Sequence, residues 1–375
     1  MTQKGVWDLQ QVRDEYLQGN WNYVDANGLY VWGSNQYGQL GLNDSIPFSS
    51  PIQVPGAGWN SIGVSIDTTY HLLAIKDDGT LWAWGRNNFG QLGTNSQILQ
   101  SSPVQIPGTQ WSVIRLGDNF TSALKNDGTL WSWGSNQQGR LGHNQTTTYY
   151  SSPRQIPGTQ WSTIFSSGYR GFLALKTDGT LWSWGANYSG QLGQGNTVHY
   201  SSPVQIPGTN WNNPRSIQRT RNTCYLVTEN GSLWAWGYND YGELGLVNNK
   251  TARSSPTQVP GTQWSNVSGA GFGANGVKTD GTLWAWGYNI TGRLGLNDAV
   301  NRSSPTQIPG TQWSSVGRSY DSGIAFKSDG SLWGWGAASF GRLGQNDTIN
   351  RSSPIQIPGP WTSAIIFSDN MAAIQ

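Results

Sequence analysis

Asp127-Gly-Thr-Leu-Trp-Ser-Trp-Gly-Ser-Asn-Gln-Gln-Gly-Arg-Leu-Gly142 carries the plan of the whole chain. Asp-Gly is a hairpin signal, and Leu-Trp-Ser-Trp alternates as a strand does. The second aromatic of that strand returns at Trp32, Trp84, Trp184, Trp236, Trp286 and Trp335 as well as at Trp133, a period of roughly 50 residues. Each strand is followed by a Gly-x-Leu-Gly turn and a Ser-Ser-Pro-x-Gln-[Ile/Val]-Pro-Gly segment that closes on Trp, or on Pro360-Trp361 in the last repeat. Short strands at that period read as blades. The sequence therefore predicts an all-β, seven-bladed β-propeller.

Within the repeat from Trp111 to Gly158, Trp111-Ser-Val-Ile and Thr121-Ser-Ala-Leu-Lys125 read as strands. Asp127-Gly128 is the expected type I′ turn, with φ positive at both central residues. The same turn recurs at Asp78-Gly79, Asp178-Gly179, Asn230-Gly231, Asp280-Gly281 and Asp329-Gly330, with Asn27-Gly28 in the first repeat. Alternation puts Trp131 and Trp133 on one face and Leu130 and Ser132 on the other. The residue between the two aromatics is small or modest (Val31, Ala83, Ser132, Ser183, Ala235, Ala285, Gly334), leaving room for the indoles of an adjoining blade. Of the 22 tryptophans, repeat positions account for all but Trp7 and Trp21, so packing rather than stacking on ligands explains their abundance.

Residues 1–20 are expected to be a leader and residues 21–375 the propeller. The first repeat is short of strand material, and the tail from Trp361 mirrors Trp111–Lys125. Met371–Gln375 is expected in the blade that contains Leu29–Gly33, so that both ends of the chain share one blade. In the leader, Asp8 with Gln11 resembles a capping box and Gly19 ends the run, which predicts a short amphipathic helix. Its stripe of Leu9, Val12 and Tyr16, with Trp7, packs on the propeller or docks onto a larger assembly.

Only 11% of residues are charged and the formal net charge is +2, against about 25% charged in typical domains. Such a chain has no field to attract nucleic acid. One cysteine and three histidines exclude a disulfide framework and any metal-ligand cluster. No apolar run approaches the ~20 residues of a membrane helix, and Met1–Gln10 lacks the apolar core of a secretory signal. No nucleophile elbow or phosphate-cradling loop is present, so no cofactor and no catalysis are expected. Asp67 beside His71 is the one acid–base pair, and it reads as a loop contact.

The Trp-Gly-x-Asn-x-x-Gly-x-Leu-Gly core resembles the regulator-of-chromosome-condensation repeat family over about residues 21–375. That resemblance implies a seven-bladed propeller whose termini share a blade. It also implies a scattered set of functions: nucleotide exchange on a small GTPase, chromatin binding, ultraviolet sensing, and inhibition of β-lactamases. This chain lacks the basic tail and wedge insertion of the exchange factor, and no strand Trp has an adjacent Arg as in the photoreceptor branch. Its regular, nearly neutral repeats resemble bacterial and phage members. The expectation is a non-catalytic structural propeller of a phage virion, a tail or surface-decoration protein made in the host cytoplasm. It would contact other virion or assembly proteins or host-surface polysaccharide. The alternative is an intracellular protein–protein interaction scaffold or an exchange-factor-like regulator.

Two variable sets remain once the scaffold is subtracted. The residue before Ser-Ser-Pro reads Phe48, Gln100, Tyr150, Tyr200, Arg253, Arg302 and Arg351. Tyr149, Tyr150, His199 and Tyr200 form an aromatic group suited to an interface, and the three arginines a cationic one. Asp298 and Asp347, four residues before Arg302 and Arg351, offer those arginines local partners instead. The second set is His71, Phe120, Gly171, Ala274, Ser322 and Met371, read as loop positions at one end of the propeller.

Overall fold

The computed structural model describes residues 28–374 apart from 64–69, 147, 167–170, 209–210, 212–213, 221, 248–249, 340–342, 360–362 and 368–369. The leader, with Trp7, Leu9, Val12 and Tyr16, lies outside the described residues, as do Asp67 and Gln375. Elsewhere the chain is strands joined by turns, with one short helical turn at Gln137–Gly139 among the described residues. The architecture is an all-β, seven-bladed propeller built on the predicted period.

The chain divides into two compact units, the described parts of Met1–Val64, Thr69–Ser135 and Tyr149–Arg154, and those of Ser65–Thr68, Asn136–Thr148 and Gln155–Gln375. In the first unit, one sheet runs Trp59–Ile62, His71–Lys76, Leu81–Gly85, Gln100–Ile106. The next runs Trp111–Leu116, Phe120–Lys125, Leu130–Ser135, Tyr149–Gln155, its last residue belonging to the second unit. The second unit holds four sheets of the same order, opening at Trp161, Ser216, Trp264 and Trp313. At the chain ends, Tyr30–Gly33 pairs with Phe48–Gln53 and Ser363–Phe367 with Asn370–Ile374. By repeat position the first pair is the third-and-fourth half of a blade, and the second pair is the first-and-second half.

The hairpin differs from the expected I′ form. Gly79 N–H donates to Lys76 O at 2.9 Å and Lys76 N–H to Thr80 O at 2.9 Å, while φ is positive at Gly79 (74°) but not at Asp78. This is a three-residue loop, a type I turn followed by a left-handed glycine. The Asp side chain selects it: Asp78 Oδ1 accepts from Thr80 N–H at 2.9 Å and from Thr80 Oγ1 at 2.6 Å. Thr80 Oγ1 in turn accepts from Trp82 Nε1 at 2.9 Å. The same chain runs through Asp127, Thr129 and Trp131 and through Asp178, Thr180 and Trp182.

The two aromatics of each strand also have unequal fates, where the sequence predicted one shared packing role. The second, as at Trp84, Trp133, Trp236, Trp286 and Trp335, is fully buried, which is worth about 4–6 kcal/mol each as an upper bound. Trp133 packs with Ala83, Leu92 and Ile106 of the preceding blade, so the small residue between the aromatics does make room as expected. Its Nε1 donates to Gln91 O of that blade at 2.9 Å. A Cβ on Gly93 would fall 2.8 Å from that nitrogen, so the turn is kept at glycine. The first aromatic is half-buried under a lysine of its own blade. Lys125 Nζ sits 4.6 Å from the Trp111 ring and 5.0 Å from the Trp131 ring, and Lys76, Lys176, Lys278 and Lys327 repeat the arrangement.

Ser-Ser-Pro links consecutive blades. Asn95, held at φ 56°, donates its N–H to Ser151 O at 2.8 Å and accepts from Ser152 Oγ at 3.1 Å. Asn43 does the same with Ser101 and Ser102, Asn144 with Ser201 and Ser202, and Asn297 with Ser352 and Ser353. Left-handed geometry is tolerated by Asn, which explains the residue type.

Candidate functional site

The residues before Ser-Ser-Pro share one register position, each opposite the glycine that ends the third strand: Gly185 faces Tyr200, Gly237 Arg253, Gly287 Arg302 and Gly336 Arg351. Most are engaged locally. Arg302 pairs with Asp298 and donates to Val300 O at 2.8 Å, and Arg351 pairs with Asp347 at 2.6 Å and donates to Ile349 O at 2.7 Å. Burial opposes ionisation of Asp298, but hydrogen bonds from Val300 N–H and Arg302 outweigh it and lower its pKa. At Asp347 the Ile349 N–H bond leads the same lowering. Arg253 is half-buried and lacks an acidic residue four positions earlier, Asn249 standing there.

His199 and Tyr200 also serve the scaffold. His199 Nδ1 accepts from Asn187 N–H at 3.0 Å, the service that Asn301 Oδ1 gives Asn289 N–H at 2.8 Å. Tyr200 Oη accepts from Asn196 Nδ2 at 2.9 Å. Tyr149 and Tyr150 belong to the first unit and His199, Tyr200 and the three arginines to the second. Tyr149 is 42% exposed, and the Arg154 guanidinium lies 4.4 Å above the Tyr150 ring.

The second variable set is not a set of loop residues. His71, Phe120, Gly171 and Ser322 each begin a second strand and are buried. The equivalents in the other blades are Thr223 and Gly273, one residue before Ala274, while Asn370 begins the last such strand ahead of Met371. Burial, with Arg86 adding to it, depresses the His71 pKa to about 3. Thr121 Oγ1 donates to Gln91 O at 2.8 Å, so at 3.3 Å it receives the His71 Nε2 proton, and Nδ1 is bare and unpartnered. A neutral, sealed imidazole is a core residue. Among the described residues no group of three or more His, Cys, Asp or Glu side chains gathers as metal ligands. No helix there is long and apolar enough to cross a membrane.

What the sequence reading missed lies in the second unit, where turns after third strands meet loops before second strands. Tyr288 N–H donates to Phe272 O at 2.8 Å and so ties one to the other. Around Phe272 gather Tyr241 at 5.3 Å, Tyr320 at 5.7 Å, Tyr238 at 6.0 Å and Tyr288 at 6.3 Å between ring centroids, and Tyr241 is 4.6 Å from Tyr288. Tyr320 is 53% exposed, and Ile290, two residues after Tyr288 in the chain, 60%. The Arg293 guanidinium lies 4.8 Å above the Tyr288 ring, donates to Tyr320 O at 3.2 Å and pairs with Asp321 at 2.7 Å. Beneath, Glu243 Oε2 accepts from Tyr241 N–H at 2.9 Å. Burial, with Asp240 adding to it, pushes the Glu243 carboxyl up to about 7. Burial and the Asp240 carboxylate likewise raise the Tyr238 hydroxyl. The available signal was Tyr238 and Tyr288 standing after Trp-Gly, where other repeats carry Ser34, Arg86, Ser135, Ala186 or Ala337.

One further concavity, about 390 Å³, is lined by Asn297, Pro309, Trp313, Lys327, Trp333 and Ser353. It is the outside of the lysine clamp that other blades repeat, and the aromatic surface is the more distinctive feature.

The Regulator of chromosome condensation (RCC1) repeat matches residues 27–65, 78–124, 127–175, 178–219, 230–277, 280–317 and 329–366. The chain is 30% identical over 219 residues to the ultraviolet-B receptor UVR8 of Arabidopsis thaliana, covering 57% of this chain and 50% of the receptor. Thus it spans about half the length of that relative. Among solved structures, human WBSCR16 aligns with a TM-score of 0.71 at 22% identity, covering 92% of this chain and 98% of that one. Prp20p of Saccharomyces cerevisiae, whose structure was described together with its binding to Gsp1p and histones, aligns at 0.68 and 19% identity, covering 92% and 90%.

Proposed function

Because the chain belongs to the RCC1-repeat family, we propose that it is a non-catalytic protein-interaction propeller whose partner docks on the aromatic surface around Phe272. The observation that carries this reading is the contact of five aromatic side chains with an arginine laid over one of them. Tyrosine and arginine dominate the energetic centres of protein interfaces because they bury large area with little rotamer entropy and keep a polar tip for the partner. Prp20p, which binds Gsp1p and histones, supports a role in holding proteins. The virion role and host-glycan contact expected from the sequence gain no support from the relatives, so the interaction-module alternative is preferred.

A photo-crosslinking residue at Ile290 tests the proposal in cells that make the protein. The expected result is a discrete protein adduct that disappears in Tyr241→Ala/Tyr288→Ala while the thermal unfolding midpoint stays near wild type. Each alanine should weaken binding by on the order of 2 kcal/mol, roughly thirtyfold. An adduct that persists in the double variant, or recovery of polysaccharide alone, would overturn it.

A further inference from the structure

Arg219 and Arg318 hold the same place in their blades. Each ends a first strand, and each faces the second residue of the next strand, Cys224 in one case and Gly323 in the other. Both are buried, at 3% and 6% exposure. Arg318 finds acceptors: Nη1 donates to Asn275 Oδ1 at 2.7 Å and Arg293 O at 3.3 Å, and Nε to Ala270 O at 3.4 Å. Among the described residues Arg219 finds none, since its Nε, Nη1 and Nη2 are all without a partner there. The difference traces to the preceding blade, where the third residue of the second strand is Asn275 before Arg318 but Leu173, fully buried, before Arg219.

A guanidinium carries five donors and does not shed its charge at physiological pH, so isolating it costs several kcal/mol unless a counter-charge arrives. Cys224 is not that counter-charge. Burial pushes its thiol up to about 11, so it is neutral, and Sγ lies 3.3 Å from Gln191 O as a donor. The Gln191 carboxamide Nε2 is a second buried donor with no acceptor.

We infer that Arg219 is a binding site for a small anion, a halide or an oxyanion of carboxylate or phosphate type, which takes the acceptor role that Asn275 Oδ1 plays for Arg318. The site is separate from the aromatic surface and does not depend on the function proposed for it.

Thermal unfolding of the whole protein in chloride, acetate or inorganic phosphate at fixed ionic strength provides the test. Wild type should show a midpoint that rises saturably with one of these anions by several degrees. Arg219→Met should lose the saturable rise and, at the lowest anion concentration, unfold above wild type because the stranded charge is gone. A wild-type midpoint that follows ionic strength alone, or a saturable rise retained in Arg219→Met, overturns the inference. Should Arg219→Met fail to fold, Arg219→Gln serves in its place. Chloride-35 line broadening on native wild type, displaced by phosphate, gives a readout that requires no variant; no broadening together with no saturable shift also overturns it.

Discussion

Asn187 shows how much of a blade one side chain organises. Its Oδ1 accepts from Leu192 N–H at 2.9 Å, and its Nδ2 donates to Asn196 O at 2.9 Å and Val198 O at 3.0 Å. Asn87 and Asn289 repeat the pattern. Asn187→Ala leaves the buried Leu192 N–H without its partner and should cost about 2–3 kcal/mol by urea unfolding. Glu243 stands where Gln39, Gln91 and Gln191 stand in other repeats, bonding the same turn N–H. Its folded pKa, about 7, lies above the ordinary carboxylate value, so its contribution is full in acid and is lost as pH rises through 7. Glu243→Gln keeps the bond without the charge. The variant should match wild type near pH 4 and exceed it by on the order of 2–3 kcal/mol at pH 8, read from denaturation midpoints across that range.

At the scale of the element, one of the described four-stranded sheets lacks the lysine clamp. Trp211 and Trp234 meet edge to face at 5.7 Å like the other pairs, but the lysine position is Thr228 and the turn aspartate is Asn230. Thr228→Lys/Asn230→Asp restores both and should raise stability by about 1 kcal/mol, measured by guanidinium unfolding; Thr228→Lys alone should gain less, because Thr228 Oγ1 already bonds Asn230 Oδ1 at 2.6 Å. Strand order and the buried second tryptophan were legible in the sequence because alternation and period are local signals. The clamp was not, since lysine and tryptophan come together across a hairpin rather than as neighbours. Nor was the task of Ser-Ser-Pro, whose partner asparagine sits in the preceding repeat. Likewise Tyr200 was found by its variability, which said nothing of Asn196 beside it, whereas the Asp298–Arg302 pair was legible because its members stand four residues apart. The Phe272 cluster escaped notice because its members occupy different phases of the repeat.

For the molecule as a whole, a formal charge of +2 on 375 residues supplies little long-range attraction, and the proposed docking surface is aromatic. Partner affinity should therefore change less than about threefold between 50 and 500 mM NaCl, as measured by isothermal calorimetry. A steep salt slope would point to a charged surface elsewhere.

The contacts between successive blades within each unit also have a direction. Trp133 donates backward to Gln91 O and Trp236 to Gln191 O, while Asn95 reaches forward to Ser151 and Asn144 to Ser201. Each of these blades thus has a leading and a trailing side that are not alike, and the same tryptophan and asparagine bonds recur from one joint to the next. A gene built this way can gain or lose a whole repeat by unequal recombination without orphaning a tryptophan or an asparagine at the scar, so copy number can drift while chemistry at the joints is inherited intact.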